Sequence, residues 1–91
     1  MHDPDGAVTL RYWAAAKQAA GTGQEAFSAP TTLAALVAAA LRAHPDDGTF
    51  ARVLGRCSFL VDGDPVGTRP HPDVALPPGA VVEALPPFAG G

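Results

Sequence analysis

The chain has 91 residues, 47% of them hydrophobic and only 16% charged, with ten Pro and ten Gly; this suits one small, turn-rich globular domain and argues against general disorder. Six Lys and Arg give a formal charge of -3, so there is no basic surface for a phosphate backbone and nucleic-acid binding is not expected. Cys57 is the single cysteine, which excludes an intramolecular disulfide framework and a cysteine metal cluster.

Residues 1–6 hold Asp3, Pro4, Asp5 and Gly6 without periodicity and read as a loose leader. They lack a basic start followed by an apolar run, so they do not look like a signal peptide. The longest apolar-rich stretch, Leu33 to Leu41, is far too short to span a bilayer. A cytoplasmic protein with no membrane role is expected. From Ala7, Val8, Leu10 and Tyr12 alternate with Thr9, Arg11 and Trp13, which predicts the first strand. Ala14 to Ala20 offers helix formers closed by Gly21, a short helix. Gly21-Thr22-Gly23 follows a helix and no Gly-Lys completes a phosphate loop, so it predicts a turn. Gln24 to Ser28, with Glu25 and Phe27 opposite Ala26 and Ser28, predicts a strand that pairs with the first.

The clearest helix follows Pro30-Thr31-Thr32, where either threonine can accept a bond from a free first-turn amide. Leu33, Leu36, Val37, Ala40 and Leu41 fall on one stripe, Arg42 and His44 sit near the C-terminal end, and Pro45 stops the helix. Asp46-Asp47-Gly48 reads as a solvated turn and not as a metal site, because no third ligand is nearby. Thr49 to Leu54 adds a helical turn before Gly55. Cys57 to Val61 predicts a strand, with Cys57 a small apolar residue and not a nucleophile. Asp62-Gly63-Asp64 then turns the chain into a short or edge arm at Pro65-Val66-Gly67. Thr68 to Val74 reads as a loop with His71 facing solvent, and His2 and His44 have no partner at ligand or dyad spacing. Leu76-Pro77-Pro78-Gly79 is a tight turn, and Ala80 to Leu85 is the last strand. Strands with a segregated helix predict an α+β domain with a mixed sheet covered on one face.

Residues 86–91, Pro86-Pro87-Phe88-Ala89-Gly90-Gly91, read as a tail on a domain spanning residues 7–85. A terminal Gly-Gly alone is what a frayed end looks like. Here it follows an apolar strand, two prolines and an aromatic. The prolines fix φ and favour extended geometry before them, and Gly90 and Gly91 present the thinnest possible cross-section. A carboxylate on Gly91 is then able to enter a narrow cleft.

Val8 to Ala14, Thr32-Leu33-Ala34-Ala35-Leu36, Phe59-Leu60-Val61-Asp62-Gly63 and the closing strand with its Pro-Pro-x-x-Gly-Gly end together resemble the ubiquitin-like sulfur carrier proteins. The likeness spans Ala7 to Gly91 and is closest to the MoaD-like small subunit of molybdopterin synthase, with the thiamine-pathway ThiS-like carriers more distant. Two departures stand out: Pro77-Pro78-Gly79-Ala80 where the family commonly has an acidic Asp-Gly-Asp turn, and a long loop from Gly67 to Ala75. The resemblance implies a β-grasp fold, a mixed sheet packed on one main helix. It implies that an E1-like, ATP-dependent adenylating and sulfurtransferase enzyme activates the Gly91 carboxylate and that sulfur replaces AMP to give a thiocarboxylate. Gly90 supplies clearance, and neither a bound cofactor nor a metal is expected. A MoaE-like large synthase subunit would receive the sulfur, and Trp13, Pro65, Leu85, Pro86, Pro87 and Phe88 would form the partner surface. For Trp13 and Leu85 the alternative is an ordinary place on the sheet. Other readings are a carrier for cysteine, thiamine, tRNA or a secondary metabolite, a ubiquitin-like modifier, or a β-grasp binding module with an inert tail.

Overall fold

The computed structural model describes residues 6–87; the expected tail residues Phe88, Gly90 and Gly91 lie outside that range. Strand β1, Val8–Tyr12, buries Val8, Leu10 and Tyr12 and turns Arg11 outward, as its alternation predicts. Helix α1, Ala14–Ala20, ends at Gly21 in left-handed backbone, whose N–H donates to the Lys17 carbonyl. Strand β2, Gln24–Phe27, runs antiparallel to β1 with Leu10 opposite Glu25. Helix α2, Leu33–Ala43, starts at Thr32, whose Oγ1 accepts from the Ala35 N–H at 3.1 Å.

Helix α3, Thr49–Leu54, follows the Asp46-Asp47 turn. Those two carboxylates are occupied by the turn itself: Asp46 accepts from the Gly48 and Phe50 amides, and Asp47 from the Thr49 amide and hydroxyl. Strands β3, Ser58–Val61, and β4, Asp64–Pro65, form the expected hairpin. Asp62 and Gly63 have φ of 49° and 88°, the pair of left-handed conformations a two-residue hairpin turn requires. Asp62 also ties this turn to the last strand, β5, Val81–Leu85: its N–H donates to the Val81 carbonyl at 2.8 Å, and its Oδ1 accepts the Val81 N–H at 2.9 Å.

The sheet order is β2-β1-β5-β3-β4, with β1 and β5 parallel and the other neighbours antiparallel. A parallel pair needs a long crossover, and here α2 lies within it. One sheet face packs on α2 through Leu33, Leu36 and Ala40, and α3 closes the core with Phe50 and Leu54. This is the α+β, β-grasp arrangement that the resemblance implies. In place of the acidic turn common in the family, Pro77-Pro78-Gly79 folds against Gly6, whose carbonyl accepts the Gly79 N–H at 3.1 Å. A Cβ on Gly6 would lie 2.8 Å from the Pro78 side chain, so this close approach needs a glycine.

Three expectations change. The apolar stripe of α2 is narrower than its spacing suggests, because Val37 is only half-buried and Leu41 is 37% exposed. Leu41 lies in the last turn of α2, outside the cluster of described residues that packs against the sheet. The loop from Thr68 to Val74 contains a 3-10 turn, His71–Asp73, packed against α2. His71 is accordingly not solvent-facing: its ring is half-buried and meets Phe59 edge-on at 5.4 Å. Strand β3 opens at Ser58, one residue later than expected, with Cys57 just before it.

Leu36 is fully buried at the centre of the helix-sheet contact, so Leu36→Ala is expected to cost about 2–5 kcal/mol. Leu41→Ala should change stability by less than about 1 kcal/mol. Urea melts of both variants check the pair.

Candidate functional site

The chain leaves the sheet from β5, the middle strand of five, and passes directly into Pro86 and Pro87. The register of its neighbours fixes what surrounds that exit. Thr9, Arg11 and Ala84's neighbour Glu83 belong to rows that cross the sheet: Thr9 pairs with Val81, Arg11 with Glu83, Glu83 with Leu60, Leu60 with Pro65, and Leu85 with Ser58. In β1 and β5 the buried side chains are those facing α2, so Val81, Glu83 and Leu85 belong to the opposite, uncovered face. The face is mixed: Val81, Leu60, Leu85 and Pro65 lie beside Thr9, Arg11 and Ser58, with Glu83 at its centre.

Trp13 extends this face beyond the end of β1. Its backbone is extended, its N–H reaches the Ala84 carbonyl at 3.3 Å, and its carbonyl accepts from Ala16 and Lys17 at the start of α1. The following Ala14 has φ 50°, a left-handed conformation that costs an alanine about 1–2 kcal/mol and breaks the strand direction right after the tryptophan. The indole is 46% exposed, and its Nε1–H donates to Glu83 Oε1 at 3.2 Å. Trp13 is therefore a surface residue and not a core one. Leu85 and Pro86 are half-buried, while Pro65 and Pro87 are exposed. These described members of the expected partner surface lie on the uncovered face or at the tail's exit.

A second cluster, unforeseen from the sequence, lies between α2 and β2. Tyr12 donates its hydroxyl to Glu25 Oε1 at 2.6 Å, and His44 Nε2 contacts the same oxygen at 2.6 Å. The His44 ring stacks on Phe50 with centroids 4.2 Å apart, and Tyr12 meets both rings edge-on. Alternation puts Glu25 on the Phe27 side of β2, but nothing local joins it to a histidine 19 positions away. Partial burial raises the Glu25 carboxyl, and the hydrogen bonds from His44 and Tyr12 outweigh it, holding the group below its usual value. Burial, then the Glu25 hydrogen bond and charge, push the Tyr12 hydroxyl upward. The cluster fastens the sheet edge to the helices.

Cys57 is half-buried, and burial pushes its thiol up to about 11, the opposite of what an activated nucleophile needs. Its Sγ donates to the Val53 carbonyl at 3.4 Å. Among the described residues no group of three or more His, Cys, Asp or Glu could hold a metal ion, and no helix is long and apolar enough to cross a membrane.

A mixed five-stranded sheet with β1 parallel to β5 and α2 packed across one face defines the β-grasp, ubiquitin-like class of fold. The ThiS family model matches residues 10–91, and the chain belongs to that family. Solved structures agree on the fold. Small archaeal modifier protein 1 from Methanosarcina acetivorans aligns with a TM-score of 0.77 at 18% identity, over 93% of this chain and 96% of that one. Urm1 from Trypanosoma brucei aligns at 0.71 and 14% identity, over 99% and 100%. A chain in the complex of subunits 1 and 2 of the molybdopterin-converting factor from Helicobacter pylori 26695 aligns at 0.64 and 21% identity, over 93% and 99%. No curated protein matches the sequence.

The Glu25 cluster sets a pH dependence. Because the folded carboxyl is held below its unfolded value, its contribution to stability is complete above an unfolded pKa of about 4.3 and is lost as pH falls through the lower folded value. Glu25→Gln is expected to lower stability at pH 7 and to flatten its decline below about pH 4.5. Urea midpoints measured between pH 3 and pH 7 for both proteins provide the check.

Proposed function

We propose that the chain is a sulfur carrier whose Gly91 carboxyl is the reacting group, with the small subunit of a molybdopterin synthase as its role. One observation carries this reading: the ThiS family match runs through Gly91, the end to which β5 and the Pro86-Pro87 pair lead. A C-terminal carboxyl has a reference pKa of about 3.3–3.7, so at neutral pH it is an anion and a poor electrophile. In the proposed reaction the carboxylate oxygen attacks the α-phosphorus of ATP on an E1-like enzyme, and pyrophosphate leaves. A sulfur nucleophile then displaces AMP and leaves a thiocarboxylate on Gly91. Gly90 gives clearance, and the acid, base and metal chemistry belongs to the partner. The chain itself holds no cofactor in this scheme and works in the cytoplasm.

Docking is assigned to the uncovered face. Trp13, Pro65, Leu85, Pro86, Pro87 and Phe88 are the proposed anchors, first for the activating enzyme and then for a MoaE-like large subunit. Support for the second partner comes from the structural likeness to a chain of the Helicobacter pylori complex. An exposed tryptophan beside half-buried aliphatic side chains is the composition expected of an interface centre. A second reading, a ubiquitin-like protein modifier, is favoured by the likeness to small archaeal modifier protein 1. It shares the adenylated Gly91 and differs in the acceptor.

Incubation with an E1-like enzyme, ATP and a sulfur donor is expected to change the intact mass by oxygen replaced with sulfur at Gly91. Deletion of Gly90 and Gly91 should abolish the change, and absence of any adenylate or thiocarboxylate with every such enzyme would reject the carrier reading. Transfer to a substrate lysine instead of a pterin precursor would select the modifier.

Trp13→Ala is expected to weaken partner binding by about tenfold or more while changing stability by less than about 1 kcal/mol. Calorimetric titration and urea melts read the two effects separately. Lost stability with unchanged affinity would return Trp13 to an ordinary place on the sheet.

A further inference from the structure

Glu83 is the one acid within the uncovered face, and its surroundings are out of character for a solvated charge. It is half-buried, its cross-strand neighbour on β3 is Leu60, and Val81 and Leu85 flank it along β5 on the same face. Its described hydrogen bond is to a neutral donor, the Trp13 indole N–H on Oε1. Arg11 is its register partner on β1, yet no ion pair joins the two among the described residues. The carboxylate keeps acceptor capacity on Oε2 and on the second lone pair of Oε1.

Any partner that covers this face removes water from Glu83. A carboxylate stripped of water beside Leu60, Val81 and Leu85 disfavours the complex unless a cationic donor meets it, and the exposed Arg11 on β1 is not paired with it among the described residues, which leaves that role to the partner. The aromatic beside it narrows the choice. A planar guanidinium can place two N–H groups toward the carboxylate while lying against the exposed indole, whereas an ammonium offers a point charge without the matching plane.

We propose that Glu83 and Trp13 form a clamp for an arginine side chain of the partner that docks on this face. Glu83 is the specificity contact, and Trp13 both orients its carboxylate and stacks on the guanidinium. The proposal rests on the uncovered face being the docking face, and it adds the chemistry that the partner must present there. A partner with an apolar or acidic side chain at that point is rejected by the unpaired carboxylate.

The test uses the full chain labelled with nitrogen-15, in which the single tryptophan gives one indole N–H resonance. Titration with arginine amide is expected to move that resonance and the amides of Glu83 and Leu85 along a saturable curve. Lysine amide should bind several-fold more weakly. Glu83→Gln, which keeps an acceptor for the indole but removes the charge, should weaken arginine-amide binding by about tenfold, and Arg11→Gln should preserve it. Spectral dispersion of each variant verifies its fold. Absence of saturable shifts in the wild type, equal binding of lysine amide, or unchanged binding by Glu83→Gln would overturn the clamp. The readout needs neither ATP nor a thiocarboxylate, so its failure is distinct from failure of the carrier reading.

Discussion

The parallel pairing of β1 with β5 is the constraint on which the remaining structure depends. Two strands near opposite ends of the chain lie side by side in the same direction, with Thr9 beside Val81 and Tyr12 beside Ala84. Such a pair cannot be closed by a tight turn, so the intervening chain must travel over one sheet face and return. Helix α2 makes that passage and buries Leu33, Leu36 and Ala40 on the way. The same pairing brings the end of β1 and the end of β5 to one edge of the molecule, where Trp13 meets the Ala84 carbonyl and Pro86 departs.

From this follows a division of labour between the two sheet faces. The face toward α2 is filled by the alternate residues Val8, Leu10, Tyr12, Val82 and Ala84, each at most 2% exposed. Burial of that kind contributes about 1.5–3 kcal/mol for each large side chain, and it is what makes so short a chain a stable domain. The opposite face carries Trp13, Leu60, Val81 and Leu85 around Glu83, with Thr9, Arg11 and Ser58 beside them, and no element among the described residues is laid over it. Apolar area left in water does nothing for folding. Its location beside the exit of the last strand is what the proposed docking of a partner on this face rests on.

The polar groups follow the same separation. Glu25, Tyr12 and His44 satisfy one another where α2 meets the β2 edge. Asp46, Asp47 and Asp62 are spent on backbone amides in turns. Burial pushes the Cys57 thiol up, away from the reactive thiolate. Glu83 differs from these acids: its described hydrogen bond is to the Trp13 indole, and it keeps acceptor capacity on the outer face of the sheet.

Local features were legible in the sequence because their causes act within a few residues. Alternation identified β1 and set Glu25 and Phe27 on one side of β2, helical spacing with a threonine cap located α2, and Asp62-Gly63 announced the hairpin. The family was legible from spaced short motifs and the glycine ending. The remaining features join distant parts of the chain: the indole of Trp13 finds Glu83 70 positions away, and His44 finds Glu25 across 19. A period tells which way a side chain points, but not which strand or helix lies beside it. The exposure of Leu41 and the half-burial of His71 turned on that second question. The sequence by itself determined most of the elements, the alternation of β1 and the family; only the tertiary structure decided the strand order, and with it the acid set against tryptophan on the outer face of the sheet, because neighbours in a sheet are chosen by packing of the whole chain.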